Sequence, residues 1–317
     1  KYSGIGGQAV IEGIMMMKGE DYAVAVRRPD KEIEVKKDTY QSITKKAKIL
    51  QLPFVRGVFR FADSMIIGMR SLTYSASFFE DDEDAEPGKF EQFLDRVFGE
   101  KLESAIMAAV LVISFILAIG IFMLLPLGIA NLFKGVITSD HLMAVLEGVI
   151  RIAIFIIYIK LVSRMEDIRR TFMYHGAEHK CINCVEHGHP LTVKYVRESS
   201  KEHKRCGTSF ILIVMVISIL MFMVIRVDTI WMRILSRIIL VPVIAGISYE
   251  VLQCAGRSNS KFMDLVSRPG MWMQGLTTKE PDDSMIEVAI AATEAVFDWR
   301  EYLTENFPGW EKQLEES

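Results

Sequence analysis

Four long apolar runs constrain this chain more than anything else in it. Ser104 to Phe133 contains no charged residue at all. About 20 apolar residues suffice for a helix to cross a bilayer. Inside a bilayer every backbone N–H and C=O must be satisfied within the protein, so such a run is expected to be helical. Pro126 is placed to kink or end this first span. His141 to Val162, Gly207 to Ile225 and Ile230 to Leu252 read as three more. Half of the 317 residues are apolar. They gather in these runs, which marks a mainly α, polytopic membrane protein rather than a large soluble core. The first run long enough to insert begins near residue 104, so no signal peptide is expected.

Four spans place both termini on one side. The segment between spans two and three carries Arg164, Arg169, Arg170, Lys180, Lys194, Arg197, Lys201, Lys204 and Arg205, whereas the short connections at 134–140 and 226–229 carry only Lys134 and Arg226. Basic loops stay in the cytosol, so both termini and residues 163–206 are expected there. Cysteines in that compartment remain reduced, which favours metal binding over disulfides.

The chain divides around the spans. In residues 1–52 the glycine-rich opening G-I-G-G-Q-A-V-I-E-G lacks the Lys-Ser/Thr of a phosphate loop and reads as a tight turn. Tyr22–Arg27 and Glu32–Lys37 flank Pro29-Asp30 and read as a cytosolic β-hairpin, and residues 42–52 as a short basic helix stopped by Pro53. Residues 53–79 carry an apolar stripe at helical spacing through Phe54, Val58, Phe61, Met65 and Leu72. Beside it runs a polar stripe through Arg56, Arg60, Asp63 and Arg70. This amphipathic helix suits either a membrane interface or packing against the spans. Residues 80–103 begin with an acidic linker, Glu80–Glu86, before Pro87-Gly88. Spans one and two fill 104–162, and spans three and four 207–252. In 253–317, Arg268-Pro269-Gly270 reads as a loop. Ser284 and Glu287 fit a capping box for a helix reaching about Trp299, with a frayed acidic tail beyond.

Chemistry concentrates at 163–206. His175-x-x-Glu178-His179 is the H-x-x-E-H spacing in which two histidines share a helix face, able to bind one Zn²⁺, with an adjacent carboxylate to take a proton from water. A third ligand is needed. By topology His203, Cys206 and Glu250 reach the same membrane face. A different set, Cys181-x-x-Cys184 with His203-x-x-Cys206, matches a closed structural Cys₃His site. Both compete with the bland reading in which these histidines cap helices and the cysteines pack as small hydrophobes. His187 and His189 read as exposed loop residues. Within the bilayer, Glu147 and Arg151, and Arg233 and Arg237, sit one helical turn apart. They read as a pairing network in preference to a polar path or a headgroup site. The net charge of −3, with no basic-aromatic clustering, gives no reason to expect a nucleic-acid partner.

G-G-Q-A-V-I-E-G-I-M-M at 6–16, Y-H-G-A-E-H-K at 174–180, R-C-G-T-S-F at 205–210, G-I-S-Y-E at 246–250 and P-G-M-W-M-Q-G-L-T-T-K-E-P-D-D at 269–283 together resemble the YqhQ-like bacterial membrane proteins. The likeness runs nearly end to end. It implies a metal, a bacterial inner-membrane home and, by position, His175, Glu178, His179, His203 and Cys206. It names no substrate. The reading is therefore a Zn²⁺-dependent hydrolase at the cytosolic membrane face, with Glu178 as base. The alternatives are a scaffold or assembly factor with a structural metal and a cytosolic protein partner, or a transport or insertion path through Glu147, Arg151 and Arg237.

Overall fold

The computed structural model describes residues 1–79, 102–225, 229–257 and 260–315. The acidic linker at 80–86, Pro87-Gly88 and Arg226 lie outside the described residues, as does the side chain of Arg233. The described residues form two compact units, one of 1–79, 159–221, 229–257 and 260–315, the other of 102–158 with 222–225.

The first unit opens with an antiparallel meander, β1 (Ile5–Val10), β2 (Gly13–Lys18), β3 (Asp21–Arg27) and β4 (Ile33–Thr39), hydrogen-bonded in that order. The expected hairpin is β3–β4. The glycine-rich opening is a strand rather than a turn, paired in register so that Gly7 faces Met16. The reason lies in burial. Ile14, Met16 and Ala25 face one core, while Val10, Met15, Tyr22, Val24 and Val26 face another. Strands covered on both faces lose the alternation by which strands are recognised.

The first core is closed by α5 (Glu166–Glu186) and α10 (Asp283–Val296), the second by α1 (Val55–Ala76) through Ile67. Residues 42–52 form two 3₁₀ turns, Ile43–Lys46 and Lys48–Gln51, rather than one helix. The first is capped by Ser42, whose hydroxyl also donates to the buried Asp63 of α1 at 2.5 Å. Asp63 accepts as well from the Tyr40 hydroxyl and the Ile43 N–H, so this one acid on the polar stripe is a buried anchor.

Among the described residues, four helices are long and apolar enough to cross a membrane: Val112–Asn131, Asp140–Val162, Gly207–Val224 and Leu235–Gly256. The first is built from α2 (Leu102–Ile119), a π turn at Gly120–Leu124 and α3 (Leu125–Asn131). Pro126 lies at the start of α3 and supplies no N–H, and the wider turn just before it accommodates the missing bond without ending the span. In the second unit, Phe122 packs edge-on against Phe155 and Tyr158 of α4 (Asp140–Val162), with ring centroids 6.1 and 5.4 Å apart. Short α6 (Val193–Glu198) and then α7 (Gly207–Val224) follow α5, and α8 (Ile230–Arg257) contains the fourth span.

Three expectations for the C-terminal region are corrected. Arg268-Pro269-Gly270 is not a loop but the middle of α9 (Lys261–Thr277). There the lost hydrogen bond is offset by tight packing: a methyl on Gly270 would lie 2.6 Å from Ser209 Oγ, and Met273 and Gln274 are fully buried. The cap of α10 is Asp282, which accepts the Met285 N–H at 3.0 Å, while Ser284 donates to Asp282. Nor does the chain fray after Trp299. It continues as α11 (Trp299–Asn306) and α12 (Lys312–Glu315), with Leu303 buried and Trp310 packed edge-on against Trp299 at 5.4 Å.

Candidate metal centre

The site is built on α5, whose residues from Gly176 to Val185 are all buried. Glu166 and Asp167 favour its N-terminus through the helix dipole. At i and i+4, His175 and His179 project side by side with ring centroids 4.4 Å apart. Each ring is fixed from behind. His175 Nδ1 lies 3.0 Å from the Thr277 carbonyl at the end of α9, and His179 Nδ1 2.7 Å from the Lys201 carbonyl. A carbonyl only accepts, so both Nδ1 atoms carry the proton and both Nε2 lone pairs are left for a ligand. Cys206, just ahead of α7, brings Sγ to 3.2 Å from His175 Nε2.

The ligand atoms of His175, His179 and Cys206 lie within 4.8 Å of one another. Contraction of about 1 Å would bring them onto bonds of about 2.0–2.3 Å, the range for zinc with nitrogen and thiolate. Two imidazoles and a thiolate suit zinc in chemistry as well as in spacing.

Glu178 lies about 60° round the helix from His175 and shares its cavity. Burial raises the Glu178 carboxyl above the usual carboxylate range, opposed by the nearby His175 and by the Gly7 N–H, which donates to it. Glycine at position 7 is required by this approach: a Cβ there would lie 2.9 Å from Glu178 Cγ and 2.6 Å from the Met15 carbonyl. The cavity, about 130 Å³, is walled by Ile5, Gly6 and Gly7 of β1 on one side and by Arg205, Cys206 and Gly207 on the other.

The remaining candidates fall elsewhere. His203 is buried beside the cluster, its ring 5.8 Å from that of His179. Its Nδ1 accepts the Arg205 N–H at 3.4 Å and its Nε2 faces Glu186 at 3.6 Å. The ring is therefore engaged with Arg205 and Glu186. Burial lowers the His203 pKa. Burial alone would raise Glu186, but His203, Arg205 and the Ser3 N–H hold it at about 2.

Cys181 and Cys184 sit about 120° and 180° round α5 from His175, facing the hydrophobic core. Burial pushes the Cys181 thiol well up and the Cys184 thiol to about 12, and Cys184 donates to the Pro190 carbonyl at 3.2 Å. The structure does not bring the Cys181, Cys184, His203 and Cys206 set together, because C-x-x-C on a helix turns both thiols away from the histidine face. Glu250 receives both Nε and Nη2 of Arg56, at 2.7 and 2.6 Å, and is engaged there instead of at the cluster. His187 is exposed as expected, but His189 stacks on Tyr195 at 5.6 Å and bonds Gln313. In the second unit Glu147 and Arg151 form a buried ion pair at 2.7 Å, with Arg151 over the Phe222 ring. Arg237 is buried in α8.

Several supporting residues gave no sequence signal. Lys180 donates to the Arg197 and Ser199 carbonyls, and Asn183 to those of Ser200 and Glu202. These bonds strap the segment that leads to Cys206. Gln274 grips the His203 backbone through both its N–H and its C=O. Glu12, held at φ +46 in the β1–β2 turn, takes a two-pronged bond from Arg170 of α5 and another from Tyr174. These bonds offset the strain of a left-handed glutamate.

Residues 52–299 match a family described as "Protein of unknown function (DUF1385)". The chain belongs to that family. It is also 34% identical over 286 residues to "Uncharacterized protein YqhQ" of Bacillus subtilis (strain 168), a match covering 90% of this chain and 89% of that protein. Neither description states a metal, a substrate or an activity. No solved structure matches. The family match covers the four spans, α5 and the three clustered residues, while the β1 wall of the cavity lies ahead of it.

Proposed function

We propose that the chain is a zinc-dependent hydrolase of the bacterial cytoplasmic membrane, with its site on the cytosolic face. The observation that carries this reading is the convergence of His175, His179 and Cys206, both rings oriented from behind by backbone carbonyls, beside the buried Glu178. Three ligands leave a coordination position open, as catalytic sites do and closed structural sites do not. Zinc bound there supplies Lewis acidity toward a substrate oxygen. Glu178 takes a proton from the attacking water and returns it to the leaving group, a task helped by a carboxyl whose pKa burial has raised. The Gly7 N–H orients that carboxyl, and Ile5 and Ile182 keep its surroundings dry.

Elemental mass spectrometry on the purified protein tests the site. Zinc near one per chain is expected, lost in His175→Ala and Cys206→Ala and kept in Glu178→Gln and Cys181→Ala. Wild type without metal, or metal governed by Cys181, defeats the reading. Basic residues between spans two and three support cytosolic termini. A C-terminal green fluorescent protein fusion is expected to fluoresce while the matching alkaline phosphatase fusion stays inactive, and the reverse pattern overturns the orientation.

A further inference from the structure

Helix α1 is amphipathic the wrong way round for a helix covering a protein core. Apart from Ile67, which closes the second core, the face turned into the protein is small and polar: Gly57, Asp63, Gly68, Ser71 and Ser75 are buried. The face turned out is apolar. Phe61, Met65, Met69 and Leu72 repeat at helical spacing along it and are exposed, Met65 by 54% and Met69 by 51%.

The two ends of the helix fix what lies against that face. Near its start, Gly57 meets Gly246 and Tyr249 of the fourth span so closely that a methyl would lie 2.8 Å from Tyr249 Cβ. One turn on, Phe61 stacks at 5.5 Å on Phe210, the fourth residue of α7. At about 1.5 Å per residue, Phe210 lies only about 5 Å into the third span. Phe61 therefore sits at the depth where a span enters the hydrocarbon. Toward the other end, the inward face is roofed by the sheet: Gly68 abuts Gln8 of β1, and Ser75 Oγ accepts the Ile11 N–H at 3.2 Å. The apolar line thus starts at bilayer depth and runs about 16 Å beside the sheet contacts, Gly68 lying about 20–60° round the helix from Phe61, Met65 and Leu72. Between residues 42 and 72 the chain carries six basic residues, Lys45, Lys46, Lys48, Arg56, Arg60 and Arg70, against the single acid Asp63, which is buried. Such a segment favours an anionic lipid surface.

We propose that α1 lies in the headgroup layer of the membrane, with Phe61, Met65, Met69 and Leu72 in the acyl boundary and the sheet packed beside that line. The partner is an anionic bilayer. This assignment stands independently of the zinc chemistry. It also sets β1, and with it one wall of the cavity, close to the lipid surface through the contact of Gln8 with Gly68.

Spin labels test this on the full-length protein in vesicles of phosphatidylglycerol and phosphatidylethanolamine, in a Cys254→Ser background. Labels would be placed singly at Phe61→Cys, Met65→Cys, Met69→Cys, Leu72→Cys and, beside the stripe, Ser64→Cys and Thr73→Cys. Collision with oxygen is expected to exceed collision with a water-soluble nickel chelate at the four stripe positions and to reverse at Ser64 and Thr73, giving a helical period. Predominant nickel access at the stripe would show that water covers it and overturn the proposal. Low access to both reagents would show that protein covers it, a second copy or another segment, and would overturn it equally. A melting temperature in each labelled variant close to that of the unlabelled protein shows that the fold is intact.

Discussion

Gly6 and Gly7 are adjacent, chemically identical and both in the cavity wall, yet the structure assigns them opposite sensitivities. A methyl on Gly7 would lie 2.6 Å from the Met15 carbonyl oxygen, 2.6 Å from Met16 Sδ and 2.9 Å from Glu178 Cγ. Ordinary contacts of these kinds need roughly 3.4–4 Å, so the wall must open by close to 1 Å. The Met16 tip can turn aside, but the Met15 carbonyl belongs to a paired strand. Overpacking of this kind costs about 1–3 kcal/mol. On Gly6 the same methyl meets nothing within 4 Å, and a Gly→Ala change where the backbone is compatible stabilises by about 0.4–1 kcal/mol through the unfolded chain. Thermal unfolding in detergent of Gly6→Ala and Gly7→Ala beside wild type measures the difference, at roughly 2–4 °C per kcal/mol for a unit of this size. Gly7→Ala is expected to melt several degrees lower and Gly6→Ala level or slightly higher. In Gly7→Ala the displaced wall also moves the N–H that holds Glu178, so any hydrolytic turnover should fall further than zinc content does. Equal melting temperatures, or Gly6→Ala as the worse variant, would refute the close approach of β1 to α5.

Trp310→Ala should destabilise the first unit by about 3–5 kcal/mol, the range for deleting a buried tryptophan, because this side chain is 6% exposed and packs on Trp299. A melting curve superimposable on wild type would restore the idea of a frayed tail. Acid should expose the role of Glu186, whose folded pKa of about 2 lies below its ordinary value of 4.5. The unfolded chain takes up this proton first, so the stabilisation is full above about pH 4.5 and is lost as pH falls toward 2. It amounts to at most about 3 kcal/mol. Glu186→Gln should therefore be less stable than wild type at pH 7, with the gap narrowing below about pH 4.5 and closing only toward pH 2, and a gap independent of pH would contradict the Arg205–Glu186–His203 arrangement.

What was legible in the sequence follows from which physical signals are local. The spans depend on length and apolarity alone, and Gly207–Val224 could be read within a residue of its end. The pairing of His175 with His179 needs only the pitch of a helix. Where two faces or two segments decide, sequence reasoning fell short. β2 reads G-I-M-M-M-K, and its alternation is erased because Met15 and Met16 are buried on opposite faces of the sheet. Pro269 and Gly270 carry loop chemistry, yet Gly270 is there to admit Ser209. Cys181 and Cys184 have ligand spacing for a loop, but once the helix through His175 continues past them the same spacing sends them into the core. Topology leads one to expect Glu250 at the face of the cluster, while its partner Arg56, nearly two hundred residues earlier in the chain, left no pattern to find.

The carbonyl behind His175 comes from Thr277, a hundred and two positions later, after the last of the four spans. During synthesis the histidine pair on α5 emerges long before that carbonyl exists, and two further spans must be inserted before α9 can dock. Until then the His175 ring has no fixed tautomer and no fixed direction. A chain stalled or misinserted at span three or four holds His175 unaligned even where the Lys201 carbonyl already fixes His179, so the pair is completed only when the chain has finished its passage into the membrane.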